Sequence, residues 1–532
     1  MQNELKTKSQ GSKMASGFIG GTFSLTLSAI IVKFIGLIYK IPLASMLGDE
    51  GMGYFNSAYT VYAFFYLLCT AGVPKAVMIL ISRAKAEGKT VEEEQIFKVA
   101  RRLFFIIGGV VTLIFILFSG PLASLIGNKK AFVSMLTIAP SIILVSLSGV
   151  LRGYLSANTR LIDISVSQVI EGVTKLVFGL AFTMLGVRLG LSLYQLSSLT
   201  VLGVTVGSGA GFLYLLICSK IKIKKEKAEQ NIEKSTKASI TKRILAISIP
   251  ITVSAAIMSI TNLIDLGLIM RSLLKIGYTE SEASSLYGNY TTLAVPMFNL
   301  AISVIAPISV AFLPVFTRCF TTGDKAGLKR AEKSGIEITS LLSAPMMIGL
   351  IVYAEEILSL LFPSSDCKIG GEMLVLIAPA ILFSSLLLIV NTLLEAGGTV
   401  KAPLISMAVG SIFKIFVSYY IIVKTDLGIY GAPIGTVVSY AVALLVSIII
   451  YGKREKSRLP LLEGAFLPHL IGFISVFLSR YAYHRLILSL GATPALIVSI
   501  ALAALIYLVI SVIFGLVGPG KINEIAKYTK FS

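Results

Sequence analysis

The sequence predicts an all-α polytopic membrane protein with about fourteen transmembrane helices, and three observations carry that prediction. Apolar residues make up 55% of the chain and charged residues 14%, where a soluble domain is nearer a quarter charged. Mean hydropathy is +0.87, and the apolar residues are blocked into runs of about 20, the length that crosses a hydrocarbon core. The third observation is where the cations fall. With the N-terminus set inside, 33 of the 47 Lys and Arg residues lie in inner segments. That is the positive-inside pattern, and it predicts a multi-pass protein of the bacterial cytoplasmic membrane with both termini cytoplasmic. The formal charge of +20 is then mostly an orientation signal, and no nucleic-acid partner is expected.

The tail 1–17 is polar, and the first apolar run is too long for a signal-peptide core. Span one (18–41) carries Lys33 and Lys40 seven residues apart. That spacing is about two turns, which puts both ammonium groups on one face. Intramembrane cations are costly and usually face a cavity or a partner. Lys33 is read as cavity-facing; Lys40 either joins it or reaches the outer interface. Span two (53–80) is interrupted at Gly72–Pro74, and Lys75 is close enough to its inner end to snorkel. Spans three and four (103–126, 131–151) lead to Arg152 at the inner mouth, where it either greets a phosphate or sets topology. Span five (161–186) holds Glu171 and Lys175 at i, i+4, which either pair with each other or contribute to a site. In span six (192–218), GSGAGF at 207–212 reads as a small-residue packing motif rather than a phosphate cradle.

The longest hydrophilic stretch, 219–243, reads as a basic cytoplasmic linker between two six-helix lobes, 18–218 and 244–451. Two further spans occupy 452–517, and 518–532 is a cytoplasmic tail. Span seven (244–270) contains Asp265, which either binds a coupling cation, pairs with a cavity lysine or neutralises Arg271. The remaining spans lie near 287–312, 336–361, 373–394, 402–422, 430–451, 464–485 and 494–517. Pro42, Pro140, Pro296, Pro307 and Pro314 interrupt spans, as bends or as packing features. Asn262, Asn289, Asn299 and Asn391 are either interhelical hydrogen-bonding residues or cavity lining. SVSQVIEGVTKLVFGL (165–180) aligns with LISMAVGSIFKIFVSY (404–419), so that Lys175 falls on Lys414. Corresponding segments in two halves suggest a transporter built from repeats, with its site near the midplane.

Five lysines lie within the spans, with Glu171 and Asp265 read as the acids deep among them. A positive cavity favours an anionic ligand, either phosphate-bearing or an anionic lipid head group. The four cysteines form no disulfide framework or metal spacing, and no metal or cofactor is expected. His469 and His484 are remote from any nucleophile or acid cluster, so the reading is a non-enzyme.

Several segments together resemble a known family: GLIYKIPLASMLGDEGMGYFNSAY (36–59), TAGVPKAVMILISRAKAEGK (70–89), LRGYLSANTRLIDISVSQVIEGVTKL (151–176), residues 261–318 and IYGAPIGTVVSYAV (429–442). They are similar to the stage V sporulation protein B group of the multidrug/oligosaccharidyl-lipid/polysaccharide (MOP) exporter superfamily, which is related to lipid II flippases. The resemblance implies two six-helix lobes, alternating access, and export of an anionic undecaprenyl-pyrophosphate-linked glycan precursor for peptidoglycan, spore cortex or another surface polysaccharide. The expected partners are membrane lipids, a monovalent coupling cation, for which Asp265 is one candidate site, and cell-wall synthesis enzymes. Lipid II flippases keep arginines in a cationic cavity. Here Lys33 stands where one would be expected, Tyr39 stands near another, and the acid expected early in span two is missing. A point charge replaces a bidentate fork. Alternative functions are a cation-coupled multidrug antiporter of the same fold, a polytopic glycan ligase or polymerase, and a scaffold for synthesis enzymes.

Overall fold

The computed structural model describes residues 2–221, 237–399 and 401–517. Most of the basic linker (222–236) and the whole tail 518–532 lie outside the described residues. Every regular element among the described residues is helical, and twelve helices are long and apolar enough to cross a membrane. Side chains such as Leu117 and Phe416 are 65% and 70% exposed. Water would make that surface untenable, and hydrocarbon makes it ordinary.

The chain forms two compact units, Met1–Leu274 with Thr279–Gly288, and Lys275–Tyr278 with Asn289–Ser532. The first unit contains α1 (Gln2–Thr70), α2 (Val73–Ala86), α3 (Thr90–Ile126), α4 (Phe132–Ala157), α5 (Leu161–Arg188), α6 (Leu193–Ile221), α7 (Lys237–Lys275) and α8 (Glu280–Asn289), the last residue of α7 and of α8 falling in the second unit. Expected span one and the first part of span two lie on α1, which is broken at Gly48, where φ is +62°. Glycine is the residue that takes such a conformation without strain. α1 ends before Gly72, and α2 starts with Pro74 in its first turn, so the expected interruption of span two is a true helix break. Pro42, Pro140, Pro307 and Pro314 instead sit inside helices, and Pro296 lies in a helical first turn.

The basic segment 92–102 is amphipathic as its spacing suggests. Ile96, Ala100 and Phe104 of α3 pack with Val77 and Ile81 of α2, Val150 of α4 and Ile244 of α7. Arg243 at the start of α7 pairs with Glu92. In the turn between α2 and α3, Lys89 and Glu87 meet at 2.6 Å, and the hydrogen bond and charge of Lys89 hold the Glu87 carboxyl below its ordinary range.

In the second unit a π-helical turn, Tyr290–Ala294, precedes α9 (Val295–Thr322). Then come α10 (Lys325–Val352), α11 (Ala354–Leu361), α12 (Cys367–Ile377), α13 (Pro379–Ala396), α14 (Ala402–Lys424) and α15 (Gly431–Glu455). Phe316, Ile389, Leu393, Ala443 and Tyr451 form the core of this unit. Beside them the Tyr451 hydroxyl donates to the buried Glu332 carboxylate. The last two helices, α16 (Leu461–Leu490) and α17 (Ala492–Ile513), pack through Val476, Tyr483, Ala495 and Leu496 against Ile348 and Tyr353.

Candidate functional site

The candidate site of the first unit is built on α1, α4, α5 and α6. Four aromatic residues follow one another on α1 at i, i+4, i+7 and i+11: Phe55, Tyr59, Tyr62 and Tyr66. Helical periodicity brings them onto one face, and their ring centroids succeed one another at 6.0, 5.8 and 5.8 Å. Tyr39, from before the Gly48 break, meets Phe55 edge-on at 6.4 Å. Its hydroxyl donates to the Thr200 carbonyl at 3.2 Å, fixing a ring that is only 2% exposed.

Lys175 of α5 stands over this ladder, its Nζ 4.6 Å from the Tyr59 ring centre and 5.6 Å from that of Tyr39. Ring quadrupoles attract a cation approached in this way. No carboxylate among the described residues pairs with Lys175. Glu171, one turn earlier, pairs across to Arg152 of α4 at 2.9 Å, and Ser208 of α6 donates to it at 3.4 Å. Spacing alone offers Glu171 a pair with Lys175; the geometry gives it Arg152, on another helix, instead. Arg152 also neighbours the Tyr66 hydroxyl, while its Nε is buried without a hydrogen-bond partner among the described residues. Lys40, partly buried on α1, is within electrostatic reach of Lys175.

Small residues allow α5 and α6 to approach closely enough for this arrangement. A Cβ on Gly203 would lie 2.5 Å from Gly179 Cα, and one on Gly207 would lie 2.8 Å from the Glu171 carbonyl. A Cβ on Gly211 would meet the Glu171 side chain at 3.2 Å. The 207–212 motif is thus the packing surface that seats Glu171 and Lys175, with Ser208 contributing its hydroxyl to the carboxylate.

Within the second unit, α14 and α15 show a related pattern. A Cβ on Gly435 would lie 3.2 Å from the Lys414 carbonyl, as one on Gly203 would lie 3.1 Å from that of Lys175. Lys414 also lies within electrostatic reach of a tyrosine, Tyr440. Lys175 and Lys414, matched in the sequence alignment, therefore occupy similar local settings.

The first unit brings Lys40, Arg152, Glu171 and Lys175 together. Lys33 sits two turns before Lys40 and is exposed; Asp265, on α7, is partly buried. The residues that sequence reasoning missed are the tyrosines. Their signal was the aromatic spacing in YFNSAYTVYAFFY (54–66), which resembles ordinary lipid-facing sequence.

Known proteins share the fold of this chain. The "Stage V sporulation protein B" of Bacillus subtilis (strain 168) is 22% identical over 516 residues, covering 96% of this chain and 97% of that protein. A solved structure of "Lipid II flippase MurJ, inward closed conformation" superimposes with a TM-score of 0.69 at 17% identity, over 92% of this chain and 98% of that one. An inward-facing multidrug resistance MATE family transporter of the MOP superfamily gives 0.66 at 15% identity, over 82% and 98% of the two chains. At these identities the structural likenesses show the fold. The family model described as "Lipid II flippase MurJ" matches residues 43–517, nearly the whole apolar part of the chain, and the protein belongs to that family.

Proposed function

We propose that the protein is a flippase that carries an anionic, undecaprenyl-pyrophosphate-linked glycan precursor across the cytoplasmic membrane for peptidoglycan, spore cortex or another surface polysaccharide. The observation that carries this reading is Lys175, a cation held on tyrosine rings with no carboxylate partner among the described residues, in a chain of the MurJ family. An ammonium on aromatic faces is worth roughly 1–2 kcal/mol when desolvated. A charge-assisted hydrogen bond to a phosphate oxygen is stronger than a neutral one. A diphosphate arriving at the ladder can therefore draw Lys175 from its rings, and Tyr59, the exposed ring of the ladder, can receive the apolar face of a sugar. Arg152, already matched by Glu171, sets the geometry beside it. Lys33 and Lys40 add positive potential in the first unit, Lys414 is proposed as the corresponding cation of the second, and Asp265 is the proposed site for a monovalent coupling cation.

Both termini and the basic segments are proposed to be cytoplasmic, following the positive-inside distribution. Cell-wall synthesis enzymes are the proposed partners that supply or receive the glycan lipid. A multidrug antiporter of the same fold is less well supported, because the cluster of the first unit sets Lys40, Arg152 and Lys175 against Glu171. Reconstituted vesicles carrying a labelled lipid-linked precursor on one leaflet test the proposal. Protein-dependent loss of label accessibility supports it. Transport of organic cations with no movement of any lipid-linked glycan would replace it with the antiporter.

A further inference from the structure

A second cavity lies in the first unit between α3, α4 and α6, away from the tyrosine ladder, with a volume of about 590 Å³. Its rim carries Lys98, Arg101 and Arg102. All three are exposed, and no carboxylate among the described residues meets Arg101 or Arg102. Lys98 has only the exposed Glu94, one turn away at 2.8 Å, a contact that solvent screens. Below the rim the walls are apolar, with Phe105 on α3, Leu147 on α4 and Phe212 on α6. The change from charge to hydrocarbon happens within one turn, between Arg102 and the start of the apolar run 103–126. That is the depth profile of a head-group region above acyl chains.

We propose that this cavity binds an anionic phospholipid of the surrounding leaflet. Its phosphate would sit on Arg101, Arg102 and Lys98, with its first acyl carbons against Phe105, Leu147 and Phe212. Free phosphate would satisfy the cations and leave the apolar walls bare. A zwitterionic lipid would bring its own ammonium against the arginines. The bilayer phospholipid fits both the charge and the walls, and the proposal is independent of which glycan the protein carries.

The test uses the purified full chain in detergent, titrated with phosphatidylglycerol or phosphatidylcholine, with bound lipid counted by native mass spectrometry. Phosphatidylglycerol is expected to bind at least about tenfold more tightly, given the contribution of each surface cation to anionic-lipid attraction. The triple change Lys98→Gln, Arg101→Gln, Arg102→Gln removes most of that preference. Leu147→Trp, which fills the cavity and leaves the charges in place, also weakens retention, and excess inorganic phosphate does not displace the lipid. Equal binding of the two lipids, wild-type retention by either variant, or displacement by inorganic phosphate would overturn the assignment.

Discussion

At the scale of single residues, the account rests on where two charges go. Lys175 has rings and Arg152 has a carboxylate, so the two cations answer differently to substitution. Lys175→Ala is expected to lower affinity for a lipid-linked diphosphate about tenfold or more, from loss of one charge-assisted contact. Tyr59→Leu removes the aromatic seat and leaves the charge, so it should cost several-fold at most; isothermal or fluorescence titration in detergent measures both. For the ion pair, Arg152→Gln or Glu171→Gln alone leaves a partly buried charge unmatched. Each should destabilise by about 1–3 kcal/mol, with the double variant well short of the sum. Additive single effects in thermal unfolding would show that the pair is not coupled.

At the scale of elements, α5 and α6 seat the site because glycine permits their close spacing. Gly207→Leu forces a side chain into the Glu171 backbone and should destabilise the fold by about 1–3 kcal/mol. Gly209→Ala, in the same motif, meets only Leu144 at 3.8 Å and should be tolerated. Detergent melting temperatures of the two variants separate a specific helix contact from general glycine loss. This packing role was legible in the sequence, since GSGAGF has the small-residue spacing of close membrane helices. The helical class was legible too, from run lengths alone. The tyrosine ladder was not, because Tyr59, Tyr62 and Tyr66 sit in a stretch whose composition suits a lipid-facing helix equally well. The partner of Glu171 was also hidden, since Lys175 is its nearest cation in sequence and Arg152 its neighbour only after folding.

At the scale of the whole molecule, the net charge of +20 carries the proposed orientation, and topology can be measured directly. With Cys69, Cys218, Cys319 and Cys367 replaced, a cysteine at Glu87 should react with an impermeant maleimide only from the cytoplasmic side. One at Lys129 should react only from outside; the reverse pattern would invert the proposed orientation. The fold and the MurJ family membership fix the class of machine, and the cationic, tyrosine-lined cluster of the first unit is the proposed contact for a diphosphate. The most direct measurement is the translocation rate of a labelled undecaprenyl-pyrophosphate-linked sugar in proteoliposomes, comparing the intact chain with Lys175→Ala at matched reconstitution. The account predicts protein-dependent movement that falls about tenfold or more in the variant. Equal rates for the two proteins would contradict it.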